Sequence, residues 1–152
     1  MNKRIIWIAV LVIFIVGITY LINEQKYTTF DELYSDQLNE DSIVRSVTIR
    51  IGGITENYAH TTIEDEEVID QIVESLRGLE LKENRNAPFM EEDYTVRITT
   101  TNEIEEGLLR TESFDLRLDG DYLNQYQVVG ETDHLSIIER LVESEEVEWE
   151  RE

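Results

Sequence analysis

The chain has 152 residues, with 34 Asp and Glu against 13 Lys and Arg, no cysteine, and a formal net charge of −21. Such a surface repels phosphate backbones, which excludes nucleic acid as a partner. The lack of cysteine excludes a disulfide scaffold, a thiolate zinc site, a thiol nucleophile and a lipidated cysteine, and the length fits one folded domain with an appendage.

The charge is unevenly placed. Residues 1–22 carry Lys3 and Arg4 and no acid, whereas residues 27–152 carry 33 acids against 10 bases. From Ile5 to Ile22 only Gly17 and Thr19 interrupt an apolar run of 18 residues. As a helix this run would be about 27 Å long, close to the roughly 30 Å of a bilayer core. Trp7 and Tyr20 stand near its ends, where amphipathic rings favour the headgroup layer. Residues 1–4 are therefore expected in the cytoplasm, 5–22 as a single transmembrane helix, and everything after Asn23 outside the cytoplasm. A cleaved signal peptide is the competing reading. Against it, the run exceeds the usual apolar region of a signal, and Gly17-Ile18-Thr19-Tyr20-Leu21-Ile22 offers no small-x-small cleavage site.

Beyond the membrane, Thr29-Phe30-Asp31-Glu32 matches a capping box, and Phe30, Leu33, Tyr34 and Leu38 follow at helical spacing. This predicts a short helix over 30–38 within a juxtamembrane stalk at 23–42, packed on the domain or standing free. Asp31, Glu32 and Asp36 make it anionic, unlike helices that bind lipid surfaces. Val47, Ile49 and Ile51 alternate with Ser46, Thr48 and Arg50, which predicts a half-buried strand over 44–51 ended by a turn at Gly52-Gly53. A second strand over 57–63 pairs back on it.

The clearest helix spans 66–77, with Asp65 as N-cap, Glu66 and Glu67 at the positive end of the dipole, and Gly78 just past the C-terminus. Leu79 and Leu81 open an extended stretch, and 83–92, with the only proline at Pro88, reads as a loop. Tyr94, Val96 and Ile98 mark a third strand, and Thr101-Asn102 and Glu105-Glu106-Gly107 a turn region. Phe114, Leu116 and Leu118 mark a further strand, followed by a hairpin turn at Asp119-Gly120 and a return over 122–129. A final helix over 133–144 leaves a mostly glutamate tail, 145–152, expected to fray. Strands cluster rather than alternate with helices, which predicts an α+β fold: a small antiparallel sheet with two helices on one face, in a domain at 43–144.

No motif singles out a catalytic side chain. Gly52-Gly53 lacks the surroundings of a phosphate loop, no G-x-S-x-G elbow marks a serine, and His60 and His134 stand apart without cysteine. No cofactor is expected. Close carboxylate pairs arise by chance in so acidic a chain and nominate no acid–base pair. Asp119 and Asp121, around Gly120, and the run Glu64-Asp65-Glu66-Glu67 are the calcium candidates, although neither matches the EF-hand pattern, and a hairpin turn and helix-start chemistry account for them. Aromatic and methionine side chains are enriched at interfaces, which nominates Phe89, Met90, Tyr94, Tyr122 and Tyr126 as partner contacts, against ordinary packing.

The basic N-terminus, the apolar segment and the small acidic domain resemble the membrane-anchored extracytoplasmic domains of Gram-positive, Bacillus-type bacteria. The step Thr62-Ile63-Glu64-Asp65-Glu66-Glu67-Val68-Ile69 is similar to theirs, as are Tyr94 to Ile98, Tyr126-Gln127-Val128-Val129 and Leu135 to Leu141. The resemblance implies location and fold class and no active site. The expected role is a non-catalytic interaction or sensing module in the cell envelope, meeting a protein or peptide with a basic surface. The alternative is a small carboxylate-dependent hydrolase acting there.

Overall fold

A computed structural model describes residues 7, 11–14, 27–39, 41–51, 59–84, 94–144 and 147–151. Most of the expected span 5–22 lies outside these residues, as do Gly52-Gly53 and most of the 83–92 loop with Phe89 and Met90. Within the apolar run, Trp7 and Leu11 to Phe14 are helical with exposed side chains. Among the described residues no helix is long and apolar enough to cross a membrane.

The described elements are α+β. A nine-stranded antiparallel sheet runs in the order β1-β4-β8-β7-β6-β5-β2-β3-β9. Its strands are β1 (Tyr27–Thr29), β2 (Ile43–Ile51), β3 (Ala59–Ile63), β4 (Glu80–Glu83), β5 (Tyr94–Glu105), β6 (Leu108–Leu118), β7 (Tyr122–Leu123), β8 (Tyr126–Val128) and β9 (Glu150–Arg151). Three helices accompany it: α1 (Phe30–Leu33), α2 (Glu66–Leu76) and α3 (Ser136–Glu143). The period-2 alternation of β2 and β5 puts Val47, Ile49, Val96 and Ile98 on one face, where they are fully buried. Leu116, Leu118 and Leu123 join them, and Ile69, Ile72, Val73 and Leu76 of α2 and Ile138 and Leu141 of α3 complete the same core cluster. Burying each such side chain contributes roughly 1.5–3 kcal/mol.

α2 forms where its caps place it. Asp65 accepts a hydrogen bond from the Val68 N–H at 3.1 Å, and Gly78 takes φ +72° just beyond the C-terminus. The Gly78 N–H also donates to Asp31 at 2.8 Å, which ties this end to α1. The capping box at Thr29 and Glu32 is present in both directions.

The segment read as a stalk is largely domain. β1 pairs with β4 from Tyr27↔Lys82 to Thr29↔Glu80, and Phe30 is 1% exposed in the core. α1 is one turn long rather than nine residues. After it Tyr34 lies between Phe30 and Phe114, tilted against the first and stacked on the second with ring centroids 4.9 and 4.8 Å away, and accepts a hydrogen bond from Asn124 at 2.8 Å. Burial pushes the Tyr34 phenol up from its ordinary value, and the Asn124 bond opposes this.

Three other boundaries move for identifiable reasons. Thr101 and Asn102 continue β5 instead of turning: Thr101 shares a hydroxyl bond with Thr111, and the Asn102 amide donates to the Gln37 carbonyl at 3.3 Å. The reversal falls at Glu106-Gly107, where Gly107 takes φ +79°. The return over 122–129 is split by Asn124, at φ 52°, into β7 and β8, which pair with each other. The tail is pinned as well, since β9 pairs with β3 and Val147 and Trp149 pack against the core.

Candidate functional site

Arginines gather on one face of the sheet. Across β3, β2, β5 and β6, one row of the uncovered sheet face reads Thr62, Thr48, Arg97, Asp115 and the next His60, Arg50, Thr95, Arg117. Arg97 grips Asp115 with two hydrogen bonds, of 2.7 and 3.0 Å. Those bonds hold the Asp115 carboxyl below its ordinary range, burial opposes them, and the charges of Arg97, Arg50 and Arg117 add to the lowering. Further along, Lys82 sits 5.3 Å over the Tyr27 ring. Acids dominate the opposite side, where Glu66, Glu67, Asp70, Glu74, Glu139 and Glu143 are all exposed on the helices.

The acidic side includes a groove. β3 pairs with β2 along its whole length, from Ile51↔Ala59 to Val47↔Ile63, but with β9 only at Ala59↔Arg151 and His60↔Glu150. Beyond that pair residues 147–149 make no ladder pair with β3. The opening between them has a volume of about 520 Å³. Its apolar lining is Ile63 from β3, Val68 from α2, Leu141 from α3 and Val147 from the tail, and Glu64, Asp65, Glu148 and Glu150 stand around it. All four acids are exposed. Asp65 is also the N-cap of α2, and Glu150 Oε2 lies 3.4 Å from His60 Nε2. The juxtaposition follows from the strand-to-helix step at 63–66, which delivers Glu64 and Asp65 where the tail returns to the sheet edge.

No family model, curated protein or solved structure matches the chain. The reading of the site therefore stands on its own geometry.

Apart from Glu64 and Asp65, the residues nominated from sequence lie elsewhere. The Asp119 carboxylate accepts the N–H groups of Asp121 and Tyr122, each at 2.7 Å, which is turn chemistry. Among the described residues no three His, Cys, Asp or Glu side chains are grouped to hold a metal. Tyr94 and Tyr126 pack against the core cluster, and Tyr122, which alternates with buried Leu123, accepts a hydrogen bond from Asn84 at 3.4 Å. Phe89 and Met90 are outside the described residues. His134 is 3% exposed and structural: its Nε2 donates to the Asp119 carbonyl at 3.0 Å, and its Nδ1 meets the Thr132 hydroxyl at 2.7 Å. Sequence reading missed the groove because its walls come from residues 60–65 and 68, 141 and 144, and 147, 148 and 150, segments far apart in the chain that meet beside the β3–β9 pairing. The one local signal was Val147 and Trp149 within an otherwise glutamate-rich tail.

Proposed function

We propose that the chain is a single-pass membrane protein, N-terminus in the cytoplasm, whose folded part outside the cytoplasm is a non-catalytic interaction module for a protein or peptide with a basic surface. The membrane part of this reading rests on Lys3 and Arg4 before an 18-residue apolar run, since basic flanks are retained on the cytoplasmic side. The interaction part is carried by one observation: a groove lined by Ile63, Val68, Leu141 and Val147 and surrounded by Glu64, Asp65, Glu148 and Glu150. Apolar side chains exclude water from a docked segment, while the acids select its charge and steer its approach.

The anchor is tested by the mass of the protein extracted from membranes. An intact N-terminus is expected, and a mature end beyond residue 20 refutes the anchor. The interaction is tested on the full chain in lipid nanodiscs with the blocked peptide Lys-Val-Lys-Val-Lys, by titration calorimetry at low and moderate salt. Binding that weakens with salt and falls about tenfold in the Glu64→Lys, Glu148→Lys double variant is expected. Equal binding by the double variant would place the attraction on the general negative surface and refute the groove.

A further inference from the structure

We infer that the groove takes its partner as an added β-strand on the open edge of β3, and that the segment it accepts is extended, with apolar and basic residues alternating. This rests on the proposed basic partner and adds how that partner is held. β3 is the last long strand on its side of the sheet, and β9 covers only its first two residues. The outward edge of Thr61, Thr62 and Ile63 has no ladder partner among the described residues. In an antiparallel strand alternate residues direct both N–H and C=O to the same side, so this edge presents main-chain donors and acceptors to the groove. Such an edge is a template for another strand, and folded proteins blunt or cover it unless it is used.

The groove has the dimensions and chemistry for a strand. From the last β9 pair at His60 to the helix start at Asp65, the edge is about 13 Å long at roughly 3.3 Å per residue, enough for about four residues. Side chains of an added strand point alternately to the two faces of the sheet. On the core face they meet Ile63, Val68, Leu141 and Val147; on the other they pass Thr62 and the ring of His60 toward water. Glu64 lies at one end of this edge and Glu150, paired with His60, at the other, which favours lysine or arginine at the ends of the segment. The period-2 requirement also sets this partner apart from a basic helix, whose apolar positions recur every three to four residues.

The test uses the full chain in nanodiscs, the blocked peptide Lys-Val-Lys-Val-Lys, and a second peptide, Lys-Val-Lys-Pro-Lys, which keeps the charge and removes one main-chain donor. Amide hydrogen exchange is followed at those amides of residues 61–63 that face away from β2. The expected result is exchange slowed at least tenfold at these amides by the valine peptide, and affinity lowered at least tenfold by the proline. If both peptides bind equally, or binding leaves these amides unprotected, strand addition is refuted and the charge-selected groove stands. If the lysine–valine peptide does not bind at all, both readings fall.

Discussion

Phe30 decides whether the domain begins at β1 or only at β2. Its side chain is 1% exposed, meets Tyr34 in a tilted ring contact at 4.9 Å, and through Tyr34 reaches Phe114 of β6. Its backbone N–H donates to the Leu79 carbonyl at 3.0 Å, where α2 gives way to β4. Phe30→Ala deletes a buried ring and leaves a cavity between α1 and the sheet, a change that costs about 3–5 kcal/mol when the surroundings cannot collapse. Loss of the tilted aromatic contact accounts for about 0.5–1.5 kcal/mol beyond burial. Against a typical total of about 5–15 kcal/mol, this removes a large share of the stability. At roughly 3–5 °C per kcal/mol for a fold of this size, the midpoint falls by about 10–20 °C. Circular dichroism melts and urea titrations of the full chain in detergent micelles, wild type beside variant, read this directly. A loss below about 1 kcal/mol would mean that residues 27–34 are a detachable stalk and that the packing described for α1 is wrong.

Ile72→Asp should abolish cooperative unfolding, because Ile72 is fully buried among α2 and sheet residues and an unpaired carboxylate there has no donor; a wild-type melting curve would overturn the assignment of that helix face. Moderate sodium chloride should raise the melting temperature, since 33 acids against 10 bases over residues 27–152 repel one another and salt screens that repulsion. A falling midpoint would show that the acids are locally compensated. Asp115 has a folded pKa below its ordinary value, so its pairing stabilises fully above the unfolded carboxyl pKa of about 3.9 and is lost as pH falls through the lower folded value. Asp115→Asn should therefore lower stability near neutrality by no more than about 1 kcal/mol, as befits an exposed pair. It should also flatten the acid limb below about pH 4. Acid-titrated melts that leave the limb unchanged would remove the Arg97 contact from the account.

Local chemistry was legible where one residue's neighbours in sequence are also its neighbours in space. The Thr29–Glu32 box, the Asp65 cap, Gly78 beyond α2 and the alternation along β2 all depend on spacings of two to four residues, and each forms. What escaped depends on distant partners. Thr101 and Asn102 have the composition of a turn and become strand because Thr111 and the Gln37 carbonyl hold them. The glutamate tail has the composition of a frayed end, yet its Val147 and Trp149 find the core and its last described residues find β3. The groove is the extreme case, because nothing near Glu64 in sequence announces that Leu141 and Val147 will stand opposite it. Asp119, Asp121 and the tyrosines were nominated by residue type, and the structure gives their visible polar bonds to turn and packing partners.

β1 and β9 are the outermost strands of the sheet, one on each side. Tension between Tyr27 and a segment held at β3 therefore runs across the strands and peels the ladders apart in series rather than shearing them together. The narrowest link in that series is β6 to β7, which has one paired position, Leu118↔Leu123. Contacts that carry load past it include the Tyr34 ring on Phe114, the Asn124 backbone and side chain on Arg117, at 2.8 and 3.0 Å, and the Asn102 amide on the Gln37 carbonyl, at 3.3 Å. Under force the β1-β4-β8-β7 half would part from the β6-β5-β2-β3-β9 half along this seam. The Tyr34–Phe114 stack then serves as the latch whose release sets how long the domain holds under load.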